Sequence, residues 1–254
     1  MNEKQKEKLL QFIDESQNIV FFGGAGVSTE SGIPDFRSKN GLYNQHDVQF
    51  EKYEPEYLLS RSCLYNNPKV FYEFYRQKLD TRGIEPNITH TCLMKMEEKG
   101  KLKAVITQNI DGLHQMAGSK EVYEIHGTTQ VNYCVKCGKR YSADYIFECG
   151  EDIPRCDCKW HGMIRPDVVL YEESLPDFAV DKAIKAIKEA DMLIVSGTSL
   201  QVYPAAGFIY EFSGEHLVVI NKEEVNLSLD EDNDLFIKGN MSEAFVEILK
   251  HISK

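Results

Sequence analysis

The sequence has no uninterrupted apolar run approaching the length of a membrane span. Its first residues, Met1 to Lys8, lack the apolar core of a secretion signal and lead into an amphipathic pattern instead. The expectation is a cytoplasmic protein with no membrane partner. Cations are also in deficit: Lys and Arg number 29 against 40 Asp and Glu, a net charge of −11. An acidic chain repels a phosphate backbone, which excludes nucleic acid as the primary partner and favours basic protein segments such as lysine-bearing tails. No internal repeat and no low-complexity linker interrupts the chain, so a solenoid is excluded too.

What is present is a globular balance of 42% hydrophobic and 27% charged residues over 254 positions, enough for one large α/β domain carrying a small one. The apolar run Ile19-Val20-Phe21-Phe22 reads as a buried strand. Directly after it comes Gly23-Gly24-Ala25-Gly26-Val27-Ser28-Thr29-Glu30-Ser31-Gly32-Ile33-Pro34-Asp35-Phe36-Arg37-Ser38. Glycines at a strand end let the backbone turn tightly and face its N–H groups toward a pyrophosphate. Gly32 and Pro34 prevent an ordinary helix from following. Residues 39–53 have few periodic apolar positions and read as an irregular, mobile segment.

Further along, helices are expected at 3–16, 55–62, 68–80, 88–98, 177–189 and 242–252, with Pro55 and Pro68 in first turns. Strands are expected at 103–107, 121–125, 167–170, 192–195 and 217–220. Polar clusters follow several strand ends: Gln108-Asn109-Ile110-Asp111-Gly112-Leu113-His114, His126-Gly127, Gly197-Thr198-Ser199-Leu200 and Ile220-Asn221. The repeat of strand, loop and helix implies a doubly wound, Rossmann-like parallel sheet, in which strand carboxyl ends face one ligand crevice. Amides and small hydroxyls there suit ribose, carboxamide and phosphate, and His126 is the candidate general base. His114 reads as structural. His46, His90, His216 and His251 read as ordinary loop or helix histidines.

Residues 130–165 break the pattern and cannot build a core alone. They carry Cys134-x2-Cys137 and, after eighteen residues, Cys156-x-Cys158. In a cytoplasmic chain with seven cysteines this spacing implies zinc, and four thiolates would leave it no open position, so the metal is structural. The narrow Cys-x-Cys bite leaves His161 or Cys149 as alternative ligands. Cys63, Cys92 and Cys149 otherwise read as ordinary reduced thiols.

Taken together, these motifs resemble those of the sirtuins, NAD-dependent protein lysine deacylases, in family order across roughly residues 5–250. The pattern also includes Arg165-Pro166-Asp167-Val168-Val169. The resemblance, to the bacterial type, implies NAD as co-substrate held by Ala25, Gly26, Ser28, Thr29, Asp35, Phe36, Arg37, Gln108, Asn109, Ile110, Asp111, His126, Gly197, Thr198, Ser199, Asn221 and Met241. It implies His126 and Asn109 as catalytic residues. It implies an acyl-lysine peptide held at Val168, Val169, Leu170, Tyr171, Glu172 and Val202, and zinc at Cys134, Cys137, Cys156 and Cys158. Residues 1–38, 84–128 and 166–254 would form the NAD-binding domain, 39–83 a helical insert and 129–165 the zinc module. The products would be nicotinamide, O-acetyl-ADP-ribose and lysine. Mono-ADP-ribosyl transfer and desuccinylation are the alternatives on the same scaffold, and a monomer is expected.

Three positions depart from the family pattern. Gly23 stands where the family often has Thr or Ala, which loosens the backbone but removes no chemistry. Glu172 stands where many members have Gly, which would set a carboxylate beside the peptide and favour basic flanking residues. Lys78 replaces an Arg in Tyr75-Arg76-Gln77-Lys78, on what reads as a solvated helix face, so acetyl is expected over acidic acyl groups.

Overall fold

The computed structural model describes residues 1–45 and 47–253. His46 therefore lies outside the described residues. Helix α1 (Glu3–Glu15) starts on a capping box between Asn2 and Gln5 and buries Leu9, Phe12 and Ile13. Strand β1 (Ile19–Gly23) is buried along its whole length, as its unbroken apolar run requires. It feeds a 3-10 helix, Ala25–Ser31, that Gly32 ends at φ 96°.

The stretch expected as one helix at 55–62 is two, α2 (Pro55–Leu58) and α3 (Arg61–Asn66). Ser60 separates them, extended, with its hydroxyl accepting the Cys63 N–H at 3.0 Å and its backbone bridging Tyr171. Helices α4 (Pro68–Lys78) and α5 (Ile88–Glu98) follow as expected. Then come β2 (Leu102–Thr107), α6 (Leu113–Ala117) and β3 (Val122–Glu124).

The cysteine-rich stretch contains more regular structure than its pattern shows: β4 (Gly127–Cys134), β5 (Arg140–Ser142), α7 (Ala143–Glu148) and β6 (Ile164–Val168). Strands β5, β4 and β6 form a small antiparallel sheet. Strand β6 starts and stops earlier than the expected 167–170. Helix α8 (Asp177–Glu189), β7 (Met192–Ser196), a 3-10 helix Ala205–Glu211, β8 (His216–Asn221), β9 (Leu235–Lys238) and α9 (Met241–Ile252) complete the chain. The 3-10 helix and β9 were not expected from the pattern.

Six strands form one parallel sheet in the order β3-β2-β1-β7-β8-β9. Strand order reverses between β1 and β7, which is the switch point where such sheets open a crevice. One core packs α1, α5 and α9 on one face of the sheet, and a second packs α8 and Ala205–Glu211 on the other. A third core joins α2, α3 and α4 to the cysteine-rich segment, with Phe71, Tyr72 and Tyr75 against Ile146, Cys156 and Ile164. Among the described residues no helix is long and apolar enough to cross a membrane.

Candidate active site

The crevice is built where β1 and β7 end side by side. Gly26 N–H donates to the Gly197 carbonyl at 2.8 Å, and Gly24 N–H to that of Ser196 at 3.3 Å. A Cβ on Gly26 would stand 2.7 Å from the Gly197 Cα, so the two loops interlock only as glycines. Behind them the Ser196 hydroxyl donates to the Ile220 carbonyl at 2.7 Å and touches the buried Met241 sulfur at 3.6 Å. The loop after β2 closes against the same wall, with the Gln108 amide donating to the Thr198 hydroxyl at 3.1 Å.

At the bottom of the crevice Ser28 Oγ donates to Asp111 Oδ2 at 2.7 Å and accepts from Asn109 Nδ2 at 3.0 Å. All three side chains are buried. Burial pushes the Asp111 carboxyl up from its ordinary range, and the bonds from Ser28 and Leu113 pull against that shift. Thr29 turns its hydroxyl back to the Gly26 carbonyl at 2.9 Å, while Ser199 stays exposed and Asn221 bonds the Glu223 carbonyl at 3.0 Å. Asp35 is engaged by the N–H groups of Arg37 and Ser38, and Phe36 and Ile110 each pack against the third core.

His126 stands at the lip of this crevice. Its Nδ1 is 3.0 Å from the Gln108 carbonyl, which can only accept, so Nδ1 carries the proton and Nε2 keeps its lone pair. Burial pushes its pKa down from the ordinary imidazole value, partly offset by the Gln108 bond. His126 is therefore neutral at neutral pH. Gly127 follows it directly. Its constraint is steric: φ is 76° and a Cβ would meet the Asp167 carbonyl oxygen at 2.1 Å. Nearby, burial raises the Glu124 carboxyl to about 7, a half-buried acid that the motifs did not single out.

The segment after β6 meets His126 directly, since Val169 N–H donates to the His126 carbonyl at 2.8 Å. The run 168–172 is not extended throughout. It bends after Leu170 because Glu173 accepts the Leu170 N–H at 3.0 Å and pairs with the buried Arg165 at 2.6 Å. Glu172 takes φ 74°, and its carboxylate accepts the N–H and hydroxyl of Ser62 at 2.9 and 2.7 Å. A cavity of about 430 Å³ lies beside Val168, Val169 and Glu172. Val202 sits in the loop after β7, with its carbonyl accepting the Ala206 N–H at 2.9 Å. Another cavity, about 470 Å³, is at the amino ends of the strands around His216 and Asp234, remote from all these groups.

Tyr75 is not on a solvated face. It is fully buried and stacked between Phe71 and Phe147. Lys78 pairs with Asp47 and donates to Gln45 at 2.8 Å, so its ammonium is already engaged. His114 and His90 are buried against each other with ring centroids 4.7 Å apart, and burial lowers the pKa of both.

The four sulfurs of Cys134, Cys137, Cys156 and Cys158 lie within 4.8 Å of one another. The Cys134–Cys158 and Cys137–Cys156 separations are 3.9 and 3.6 Å. A tetrahedron of Zn–S bonds of about 2.3 Å has edges of about 3.8 Å, so the set fits one zinc. Cys149 instead receives Arg76 Nη2 at 3.0 Å, and His161 is outside the cluster. The crevice offers hydroxyls, amides and one carboxyl at a strand-to-helix turn, a donor set that fits a dinucleotide.

A family model described as the Sir2 family matches residues 24–204. The chain is 50% identical over 242 residues to an NAD-dependent protein deacetylase of Clostridium acetobutylicum, covering 95% of this chain and 97% of that protein. It is 51% identical over 244 residues to an NAD-dependent protein deacetylase of Clostridium perfringens, with the same coverage. Among solved structures, a Sir2–p53 peptide–NAD+ complex superposes with TM-score 0.82 at 37% identity over 98% of both chains. A Sir2 variant with deacetylated p53 peptide and 3'-O-acetyl-ADP-ribose gives 0.85 at 37% identity, covering 96% of this chain and 97% of that one.

Proposed function

The chain belongs to the Sir2 family, and from that premise we propose that it is an NAD-dependent deacetylase of protein lysine residues. The observation that carries the reading is the position of His126. Its ring is oriented by the Gln108 carbonyl of the crevice, and its own carbonyl is bonded by Val169 of the substrate segment. One residue thus joins the two binding regions, by its ring and by its backbone.

Bound NAD supplies a ribose carbon that can exchange nicotinamide for an acyl oxygen. Ala25, Gly26, Ser28, Thr29, Gln108, Gly197, Thr198, Ser199 and Asn221 would hold its phosphates and riboses. Met241 would back that wall. Asn109, Ile110 and Asp111 would receive the carboxamide, and Asp35, Phe36 and Arg37 would cover the reacting face against water. His126 Nε2, with its lone pair free, takes the proton of a ribose hydroxyl as general base. Val168, Val169 and Leu170 present an extended edge to which a peptide can pair through its backbone, with Tyr171, Glu172 and Val202 flanking it. Zinc, held by four thiolates, shapes the small sheet and takes no part in proton transfer.

Acetyl-lysine is the acyl substrate we infer, because Lys78 is already paired with Asp47 and Tyr75 is buried. A cytoplasmic monomer acting on protein, not nucleic acid, agrees with the net charge of −11. The test is turnover of an acetyl-lysine peptide with and without NAD, wild type against His126→Ala, with products weighed by mass spectrometry. O-acetyl-ADP-ribose from wild type and a loss of about 100-fold or more in the variant are expected. ADP-ribosylated protein as the main product, or full activity in the variant, would overturn the assignment.

A further inference from the structure

Tyr171 occupies a three-way junction. Its backbone N–H donates to the Leu59 carbonyl and its carbonyl accepts the Arg61 N–H, both at 3.0 Å, which docks the substrate segment on the α2–α3 junction. Its hydroxyl crosses to a third element. Arg37 Nη2 donates to it at 3.0 Å, and the Tyr43 hydroxyl lies 3.1 Å away. Burial pushes the Tyr43 pKa up, so that hydroxyl stays protonated.

Arg37 and Tyr43 belong to one compact loop. Leu42 N–H donates to the Asp35 carbonyl at 2.7 Å and Tyr43 N–H to that of Phe36 at 2.9 Å. The Tyr43 ring lies 5.4 Å from the Phe36 ring and 5.6 Å from the Arg37 guanidinium carbon. Gly41 makes this return feasible, because a Cβ there would meet the Phe36 backbone at 2.7 Å. A shift of the Tyr171 hydroxyl is therefore felt by Phe36 and Arg37 through two hydrogen bonds and a packed ring. Val169, two residues earlier, is bonded to His126.

We propose that the Tyr171 hydroxyl, with Tyr43 and Arg37, is the latch that couples occupancy of the peptide segment to the NAD loop. Tyr171 is then a positioning residue whose hydroxyl transmits binding between two ligands. This rests on the reading of 168–172 as the substrate segment and 35–37 as part of the NAD site. Coupling of this kind is reciprocal, so each ligand must tighten the other by the same factor.

The experiment is calorimetric titration of a carbocyclic NAD analogue that cannot lose nicotinamide, with and without saturating acetyl-lysine peptide, and the converse titration. Wild type is expected to show mutual tightening of about fivefold or more. In Tyr43→Phe, which touches neither ligand, the factor should fall at least about twofold while each ligand alone binds within about threefold of wild type. Tyr171→Phe also removes the Arg37 bond and should abolish the coupling, and the double variant should be no worse than Tyr171→Phe alone, because Tyr43 acts through the same hydroxyl. Thermal melting of each variant reports whether the fold is retained. Undiminished coupling in Tyr171→Phe, or weaker peptide binding alone with coupling intact, would overturn the latch. Absence of NAD-dependent deacetylation by wild type would instead overturn the function proposed above.

Discussion

Ser28 shows how much of this site hangs on single hydroxyls. It donates to Asp111 and accepts from Asn109, 83 and 81 residues away in sequence. Ser28→Ala would strand a buried carboxyl oxygen and a buried amide, a cost of about 1–3 kcal/mol. A fall of about 10- to 100-fold in kcat/KM, from weaker positioning of the carboxamide, is the expected outcome. Unchanged kinetics would show that Asp111 and Asn109 are held by other contacts. His126 sets the pH dependence at the same scale. The base works when neutral, and burial lowers its pKa below the ordinary imidazole value. Activity should therefore persist as pH falls past about 6.5, with the acid limb of kcat/KM below that value. A limb centred at or above it would contradict the burial argument.

At the scale of elements, Glu172 sets a strained backbone against a cap. Its φ of 74° costs a side-chain-bearing residue about 1 kcal/mol, and its carboxylate bonds two donors of Ser62 at the start of α3. Glu172→Ala keeps the strain and loses the cap; Glu172→Gly loses both. In denaturant melts Glu172→Ala should be the least stable, by about 1–2 kcal/mol relative to wild type, with Glu172→Gly between them. Glu172→Ala as stable as wild type would mean that the bond to Ser62 contributes little. Glu172 also illustrates what the sequence could not convey. Its identity was legible, but its direction depends on a bend made by Glu173 and Arg165. In the same way 55–62 carried a helical pattern, and its interruption at Ser60 answers to a bridge with Tyr171. Buried strands such as Ile19–Gly23 and Met192–Ser196 were plain because burial on both faces leaves an apolar run. Strands β4 and β5 were not, because their core is completed by Phe71, Tyr72 and Tyr75 from another part of the chain. For the crevice, strand-end position was enough to bring Ser28, Gln108, Asn109, Asp111 and Thr198 together. Tyr43 escaped notice because the segment around it has no period to read.

For the whole molecule, the three cores divide the consequences of losing the metal. The sheet of six strands is packed on both faces by cores that contain none of the four clustered cysteines. The third core contains Cys134 and Cys156 together with α2–α4 and Leu170. Tyr72 from α4 donates to the Ile164 carbonyl at 2.7 Å, and Arg76 reaches the Ile146 carbonyl at 2.8 Å, so helices and small sheet stand or fall together. Structural zinc contributes about 10–16 kcal/mol in isolated fingers, comparable with the whole stability of an ordinary domain of about 5–15 kcal/mol. Stripping the metal, or Cys156→Ser, should therefore unfold this core and with it the segment Val168 to Glu172. Deacetylase activity should fall at least about tenfold although no thiolate touches a reacting atom. Amide exchange should lose protection in Gly127–Cys134 and Pro68–Lys78 while Ile19–Gly23 and Met192–Ser196 keep theirs. A metal-free protein, verified by elemental analysis, that kept full activity would show that the third core holds without zinc; one that lost protection in the large sheet as well would show that the cores fold as a single unit.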